Sequence, residues 1–436
     1  MEQVNESGLV RGIRRWDLVA VTINGVIGAG IFGLPSEVFG RIGAYSLIAF
    51  IACAIVVTLI VLCLAEVSSR YSATGGSYLY TREAFGAVAG FEVGWMVWVA
   101  RLTAFAANLN LFVGYLSFFW PTASQPFWRA AIILFVGIVL TAVNILGVRN
   151  AAVTSNIFTI GKLIPIVLFI SAGLFFLNTE NYSLDVHPQY DAFSLSVLQL
   201  IYAFTGFEIA VIPSGEIKDP QRNLPMALLT AMAVVTLLYI LIQLICIGTL
   251  PGLASSSRPL ADASRVFLGS AGAAIISVGA LISIVGNLNV ILLAGSRLPF
   301  AMAERDEIPK FFAKTHKKFH TPHVSIVLTA GLMLALTLEG TFVKALTVSA
   351  IARLLAYGAT GIALIVLRRR SDVPAALFKV PAGSLIALLS IILSIWLLTN
   401  STFAEARSAA IAVLIGLLIY YLHKFFFRRP LAASEN

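Results

Sequence analysis

Long apolar runs alternate with short polar segments along almost the whole chain. A helix needs about 20 consecutive, mainly apolar residues to cross a hydrocarbon core of about 30 Å. About twelve runs of this kind occur, at residues 17–38, 44–69, 87–119, 127–147, 151–177, 193–215, 225–250, 271–302, 323–340, 344–367, 381–400 and 406–427. The pattern predicts an all-α integral membrane protein with about twelve transmembrane helices.

The first apolar run contains an interruption. Residues 24–33 include four glycines, and Pro35 follows them. In a helix interior glycine costs about 1 kcal/mol relative to alanine and proline about 3 kcal/mol, so the helix should unwind here. Unwound backbone is tolerated in a bilayer only where protein or a water-filled cavity satisfies its polar groups. We therefore expect two half-helices around a binding site. The alternative is that the glycines serve only close helix packing.

The sixth run is interrupted in the same way. Gly206 lies in the middle of this run, and Pro213 and Gly215 follow it. Interrupted segments at corresponding positions of two halves point to a transporter built from inverted repeats. The two interruptions are five spans apart, and an odd number of spans gives the two repeats opposite topologies. The sequence therefore predicts a five-plus-five inverted repeat with broken helices 1 and 6, followed by two peripheral helices.

Charge gives this arrangement an orientation. Only 12% of the residues are charged, and most of the 30 Lys and Arg residues lie in segments on one predicted side of the membrane. Because cytoplasmic segments carry the excess of positive charge, both termini are expected in the cytoplasm of a protein of the inner or plasma membrane. The predicted segments are a cytoplasmic N-terminus (1–15), a first repeat with spans 1–5 (16–177), a second repeat with spans 6–10 (192–368), the last two spans (380–427) and a cytoplasmic tail (428–436).

The same distribution of residues excludes several partners. The net charge of +9 is explained by the membrane orientation and gives no reason to expect nucleic acid. Cys53, Cys63 and Cys246 lie in apolar runs and show neither a disulfide framework nor zinc spacing. The sequence therefore predicts a lipid bilayer as the surroundings and neither a metal site nor a cofactor. It leaves the oligomeric state open.

Several short motifs together resemble those of the amino acid–polyamine–organocation transporter superfamily. These are the glycine-rich stretch 24–35, Gly-Gly-Ser-Tyr at 75–78, Val-Gly-Tyr-Leu-Ser at 113–117, Gly-Phe-Glu at 206–208 with Lys-Asp-Pro-Gln-Arg at 218–222, and the stretch 297–306. Their order and spacing cover nearly the whole chain. The resemblance implies a secondary active transporter of amino acids or related amines that works by alternating access.

The first interruption offers groups for both charges of an amino acid. Half-helix N-termini present unpaired N–H groups and a positive dipole end, which suit a carboxylate. We expect the N–H groups of Ala29, Gly30 and Ile31 in this role. Half-helix C-terminal ends present carbonyls, which suit an ammonium group. The carbonyls of Val26 and Ile27 are expected in that role.

The sixth span supplies further candidates. Tyr202 and Thr205 are expected to complete the ammonium site, and Phe207 flanks the break with Tyr202. The resemblance implies that an aromatic residue at the position of Tyr202 covers the bound substrate. The alternative is an aromatic that faces lipid or the core. Glu208 is a carboxylate beside the break, expected either to organise the broken helix or to take up a proton.

Lys162 lies within the fifth span. In the superfamily that the chain resembles, a lysine at this place occupies the position where sodium-coupled relatives bind a sodium ion. The resemblance therefore implies sodium-independent transport with a proton as the coupling ion. The alternative is a lysine that snorkels to the inner interface. Lys162 comes 13 residues after Arg149, which places it about 20 Å deep.

Arg101 lies deep in the third span, on the same helix face as Phe105 and Asn108. The resemblance at Val-Gly-Tyr (113–115) implies that this face lies beside the substrate cavity. A guanidinium at the site would repel cationic side chains and accept an acidic one through two hydrogen bonds. The alternative is a fixed ion pair with Glu208. Asn289, with its neighbour Asn287 in the eighth span, is expected either in the cavity wall or in a hydrogen bond between helices.

The leading hypothesis is a sodium-independent secondary transporter of amino acids, either a proton symporter or an exchanger. Glu208 is the only deep acidic residue, which favours neutral substrates over diamines and arginine, and Arg101 leaves acidic amino acids as the alternative. A membrane enzyme is not expected, since all five histidines lie in loops or beyond the last span. A sensor or accessory subunit is the remaining rival, although no soluble domain that could relay a signal is evident.

Overall fold

The structure is a computed structural model. It describes residues 13–427 except 73–74, 147–150, 185–186, 213, 215–216 and 320, and it describes only the backbone of 151–157. The predicted tail 428–436, most of the predicted N-terminus 1–15, and the residues Pro213 and Gly215 therefore lie outside the described residues.

The described residues form fourteen α-helices joined by turns. These are α1 (Arg15–Val26), α2 (Ala29–Ile42), α3 (Ser46–Ser68), α4 (Gly76–Phe85), α5 (Ala87–Leu116), α6 (Pro126–Leu146), α7 (Ala151–Gly173), α8 (Tyr190–Phe204), α9 (Pro220–Thr249), α10 (Pro259–Glu304), α11 (His323–Glu339), α12 (Phe342–Arg369), α13 (Gly383–Thr399) and α14 (Phe403–Phe427).

Among the described residues, nine helical stretches are long and apolar enough to cross a membrane. One of them, Ala29–Ser68, turns at Gly43 and so provides the second half of the first span and all of the second. The helices α11 and α13 are apolar but shorter. With α1 as the first half of span one, the helices correspond to the twelve predicted runs, and the predicted all-helical membrane fold is confirmed.

Equivalent helices of the two halves make equivalent contacts, as an inverted repeat requires. Span two (α3) packs on span six (α8), and span seven (α9) packs on span one (α1). Span three (α5) likewise packs on span ten (α12), as span eight (α10) packs on span five (α7). Each pair becomes the other when five is added to or subtracted from the span numbers. The exact boundaries of the two repeats remain a prediction.

The first span breaks between Val26 and Ala29. Ile27 ends α1 with a ψ of 89°, and Gly28 is extended at φ −121° and ψ −149° before α2 begins. The break is therefore confirmed, but it does not extend to Pro35, which lies inside α2. Pro35 is the seventh residue of α2, past the first four whose N–H groups lack intrahelical partners, so it removes one hydrogen bond from the interior of the helix.

The sixth span breaks at Thr205 and Gly206. Thr205 is extended, Gly206 has a left-handed φ of 119°, and a single 3₁₀ turn at Phe207–Ile209 follows. A Cβ on Gly206 would collide with the carbonyl of Gly25, so the absence of a side chain is what lets the two breaks touch. The glycines thus serve both the predicted break and close helix packing.

Candidate functional site

A narrow cavity of about 20 Å³ lies between the two breaks. It is bounded by the broken first and sixth spans and by α5, α10 and α12. Its walls are formed by Gly25, Val26, Gly28, Ala29, Gly30, Arg101, Ala104, Asn108, Tyr202, Thr205, Gly206, Ile209, Asn287, Ile291 and Arg353. Six of the residues predicted for substrate binding are among them, namely Val26, Ala29, Gly30, Arg101, Tyr202 and Thr205.

The N-terminus of α2 faces this cavity through Ala29 and Gly30. The N–H of Ala29 donates to Asn108 Oδ1 at 3.2 Å, and Asn108 Nδ2 donates to the Tyr202 hydroxyl at 2.6 Å. Ile31, the third predicted donor, is buried away from the cavity wall. The asparagine therefore joins spans one, three and six, and Gly30 is the next backbone group of the helix start in the cavity wall.

The carbonyls at the end of α1 accept hydrogen bonds from the protein itself. Val26 O accepts from the Tyr239 hydroxyl at 3.1 Å. Ile27 O accepts from Lys162 Nζ at 2.7 Å and from Ser283 Oγ at 3.3 Å. Of the two predicted ammonium acceptors only Val26 lines the cavity. Ile27 O therefore binds the ammonium group of Lys162, which belongs to the chain itself and not to a ligand.

Lys162 is fully buried. Its ammonium group also donates to Asn24 O at 3.0 Å, so it bridges two carbonyls in the last turn of α1. The C-terminal end of a helix carries a partial negative charge, which favours a cation at this place. A snorkelling lysine would keep its ammonium group in water, and the contacts of Lys162 are incompatible with that alternative.

The residues of span six separate into two groups. Tyr202 and Thr205 line the cavity, and the Thr205 hydroxyl donates to Tyr202 O at 2.8 Å. Phe207 points away and stacks on Tyr357 with ring centroids 5.2 Å apart. The Tyr202 ring also contacts Phe342 edge to face, with centroids 6.5 Å apart. Of the two predicted aromatics, only Tyr202 is therefore placed to touch a ligand in the cavity.

Glu208 fastens the sixth span to α12. One carboxylate oxygen forms an ion pair with Arg353, and the other accepts from the Tyr357 hydroxyl at 2.9 Å and from the N–H of Gly206 at 2.9 Å. Three donors from two segments thus meet at one buried carboxylate. This geometry favours the organising role over proton uptake, because every donor around Glu208 favours its charged form.

Arg101 is fully buried in the cavity wall. Its Nε, Nη1 and Nη2 atoms all lack a hydrogen-bond partner among the described residues. The alternative ion pair between Arg101 and Glu208 is not formed, since Glu208 pairs with Arg353. Asn108 shares the cavity face of α5 with Arg101, whereas Phe105 packs into the apolar core.

The two asparagines of α10 point in different directions. Asn287 lines the cavity and donates to Gly25 O at 3.3 Å. Asn289 accepts at 2.9 Å from Asn144 Nδ2 in α6, which is the hydrogen bond between helices expected as its alternative role. Two residues along a helix correspond to roughly 200° of rotation, so both could not face one cavity. Arg353 is a further wall residue for which the sequence suggests only a structural or gating charge.

A second, larger cavity of about 450 Å³ lies at the end of the bundle that the charge pattern assigns to the outside. Phe342 forms part of its wall and also contacts Tyr202, so this aromatic pair separates the outer cavity from the inner one. Arg129 lines the outer cavity and donates to Asn110 Oδ1 at 2.6 Å. Glu339 lies in the same wall.

The chain is similar to known permeases and transporters along nearly its whole length. The family model described as "Amino acid permease" matches residues 13–422. A methylthioribose transporter of Bacillus subtilis is 29% identical, over 97% of this chain and 95% of that protein. The serine/threonine exchanger SteT of Bacillus subtilis is 28% identical over 95% of this chain and 97% of its own. The branched-chain amino acid permease BcaP of Bacillus subtilis is 27% identical over 96% and 94%.

Proposed function

Because this chain belongs to the amino acid permease family, which comprises membrane transporters and not enzymes, we propose that it carries amino acids by alternating access without sodium. The observation that supports this most directly is Lys162, whose ammonium group already occupies two carbonyls at the first break. A sodium ion at these carbonyls would meet a like charge within a few ångströms in a medium of low dielectric constant.

The substrate would bind across the two breaks, after the opening movement of alternating access has widened the narrow cavity between them. Its α-carboxylate would lie at the start of α2, where Gly30 brings bare backbone to the cavity. Its ammonium group would lie at Val26 O, whose second lone pair is available beside the Tyr239 bond, and near Thr205. Tyr202 would cover the site on its outer side, where it contacts Phe342.

A proton is proposed as the coupling ion, with Lys162 as the group that binds it. The ammonium group of Lys162 donates to two backbone carbonyls at the first break, so the protons it carries hold the end of α1 in place. Loss of the proton would weaken the bonds to Asn24 O and Ile27 O, which would release the end of α1. Exchange is the second candidate, since a serine/threonine exchanger is among the similar proteins. We place the protein in the cell membrane with both termini in the cytoplasm.

The test is uptake of labelled amino acids by the purified protein in proteoliposomes. We expect uptake in sodium-free buffer, stimulated by an inward proton gradient, and loss of that stimulation in Lys162→Ala. Lys344→Ala, at an exposed lysine near the start of α12, is the matched control and should behave as the original protein. Uptake that requires sodium would refute the proposal. Undiminished pH-driven uptake by Lys162→Ala would refute the role of this lysine.

Exchange is distinguished by loading the vesicles. If uptake needs unlabelled substrate inside and ignores the proton gradient, the protein is an exchanger. If uptake follows the gradient with empty vesicles, it is a symporter.

A further inference from the structure

We propose that the cavity receives an amino acid with a second carboxylate, and that Arg101 binds this side-chain carboxylate. The inference depends on the proposed transport function and names its substrate class. It reverses the order that the sequence suggests, in which neutral substrates come first. It is carried by the contacts around Arg101, the balance of charge in the cavity wall, and the arrangement of groups along α5.

The first step concerns the guanidinium of Arg101 itself. This group offers five N–H donors in a planar fork and remains charged in proteins. All three of its nitrogens are buried and lack a partner in the described part of the chain. Buried polar groups in folded proteins are nearly always hydrogen-bonded, and a buried charge without a partner is strongly unfavourable. Because this group lines the cavity, its missing partner fits a ligand rather than another side chain.

The second step concerns the balance of charge. Two cationic side chains, Arg101 and Arg353, line the cavity, and Glu208 forms its ion pair with Arg353. Tyr357 and the N–H of Gly206 occupy the other oxygen of Glu208. A neutral amino acid, which is a zwitterion, would leave one positive charge uncompensated in the wall. A substrate with one further negative charge would neutralise it, and a carboxylate matches the fork of Arg101 with two parallel hydrogen bonds.

The third step concerns distance along α5. Arg101, Ala104 and Asn108 line the cavity on one face of this helix. Asn108 contacts Ala29 at the start of α2, where the α-carboxylate is proposed to bind. Arg101 lies seven residues before Asn108, which is about 10 Å along the helix axis. Arg101 therefore lies on the same cavity face, about two turns of α5 away from the α-carboxylate site, and we place the end of the substrate side chain there.

The test compares ligands that differ only in the second carboxylate. Thermal unfolding of the purified full chain is measured with glutamate against glutamine, and with aspartate against asparagine, since a specific ligand raises the melting temperature by mass action. At least one acidic ligand should stabilise the original protein, and its amide counterpart should not. In Arg101→Gln we expect the apparent affinity for that ligand to fall about thirtyfold or more, because the second carboxylate then loses its charged partner. Arg265→Gln, at an exposed arginine, is the matched control and should retain binding.

The melting temperature without ligand shows whether the Arg101→Gln variant is folded. Arg101→Gln removes an unpaired buried charge, so without ligand it should melt at the same temperature as the original protein or higher. A second variant, Arg101→Lys, keeps the charge but lacks the planar fork and should bind with intermediate affinity.

Three results would overturn the inference. These are equal stabilisation by acids and amides, no stabilisation by either acid, and unchanged binding of the acid to Arg101→Gln. If the original protein then took up glutamine or asparagine without sodium, the transport proposal would stand and only the side-chain site would be wrong. If glutamate bound only in the presence of sodium and this binding were lost in Arg101→Gln, the side-chain site would be supported and the sodium-independent transport proposal would be wrong.

Discussion

Replacing Glu208 by Gln is expected to destabilise the protein strongly, because it leaves Arg353 charged, buried and without its ion-pair partner. The carboxylate receives donors from Arg353, Tyr357 and the backbone of Gly206. An amide has one acceptor oxygen in place of two, and its NH₂ group would face one of these donors. Breaking a buried ion pair by removing one partner destabilises proteins by about 3 to 5 kcal/mol, and we expect a loss within this range.

The double variant tests whether the pair itself is responsible. Arg353→Gln alone leaves Glu208 charged and buried, so it should also destabilise by about 3 to 5 kcal/mol. If the two effects were independent, the double variant would lose about 6 to 10 kcal/mol. Because each single change removes the same interaction, we expect the double variant to be no less stable than either single variant. The coupling free energy should then be about 3 kcal/mol or more.

The assay is equilibrium unfolding of the purified protein in mild detergent, titrated with a denaturing detergent. Asp306→Asn is the matched control, since it makes the same chemical change in an exposed pair with Lys310. Surface pairs contribute about 0 to 1 kcal/mol, so this variant should stay close to the original protein. Additive losses in the double variant, or a loss in Glu208→Gln no greater than that in Asp306→Asn, would refute the reasoning.

Three further changes have expected outcomes. Gly206→Ala should abolish uptake in proteoliposomes, because its Cβ would collide with the carbonyl of Gly25; normal uptake would contradict the close approach of the two breaks. Tyr239→Phe should lower the free energy of unfolding by about 1 to 3 kcal/mol, since Val26 O loses its donor; the same detergent titration measures this. Burial raises the pKa of Glu307 from 4.5, so the folded state binds more protons and stability should fall as the pH rises through the interval above 4.5. Glu307→Gln should flatten that dependence in melting curves, and an unchanged slope would contradict it.

The fold could be predicted well because its signals are local. Each apolar run is long enough to require a membrane span, and glycine within such a run weakens a helix wherever it occurs. The breaks at Gly28 and Gly206 are found where these costs accumulate. The helix α4 is different, because the segment around Gly76 has the composition of a turn-rich connection. In the structure it forms a helix that packs on α5 and α12. Such packing between distant segments leaves no local pattern in the sequence.

The backbone part of the site was also more predictable than its side chains. Val26, Ala29 and Gly30 line the cavity because the break itself turns their backbone towards it. For the side chains, the direction of each residue depends on the rotation of its helix about its axis, which neighbouring helices set. Asn289 shows this, since a position only two residues away, Asn287, is the one that faces the cavity.

Long-range partners were the hardest to foresee. Glu208 could have paired with Arg101 or Arg353, which both lie deep in predicted spans. In the structure Glu208 pairs with Arg353, which lies 145 residues further along the chain. That choice changes the interpretation of Arg101 from one half of a structural pair to a charge that faces the cavity.

The buried cations around the two breaks together explain why Arg101 differs from the others. Lys162 is bound by carbonyls that are available as acceptors because the first helix is broken. Arg353 is bound by the carboxylate that organises the second break. Each of these cations therefore stabilises the broken structure and is satisfied without a ligand. Arg101 lies in the same cavity wall as Arg353 and has no such partner in the described part of the chain. A buried charge without a partner is unfavourable in the closed, empty cavity, whereas a bound ligand that brings a carboxylate removes this penalty. Because a neutral substrate would leave Arg101 unpaired, the same arginine would favour binding of an acidic substrate over a neutral one, and this difference in affinity is what selectivity requires.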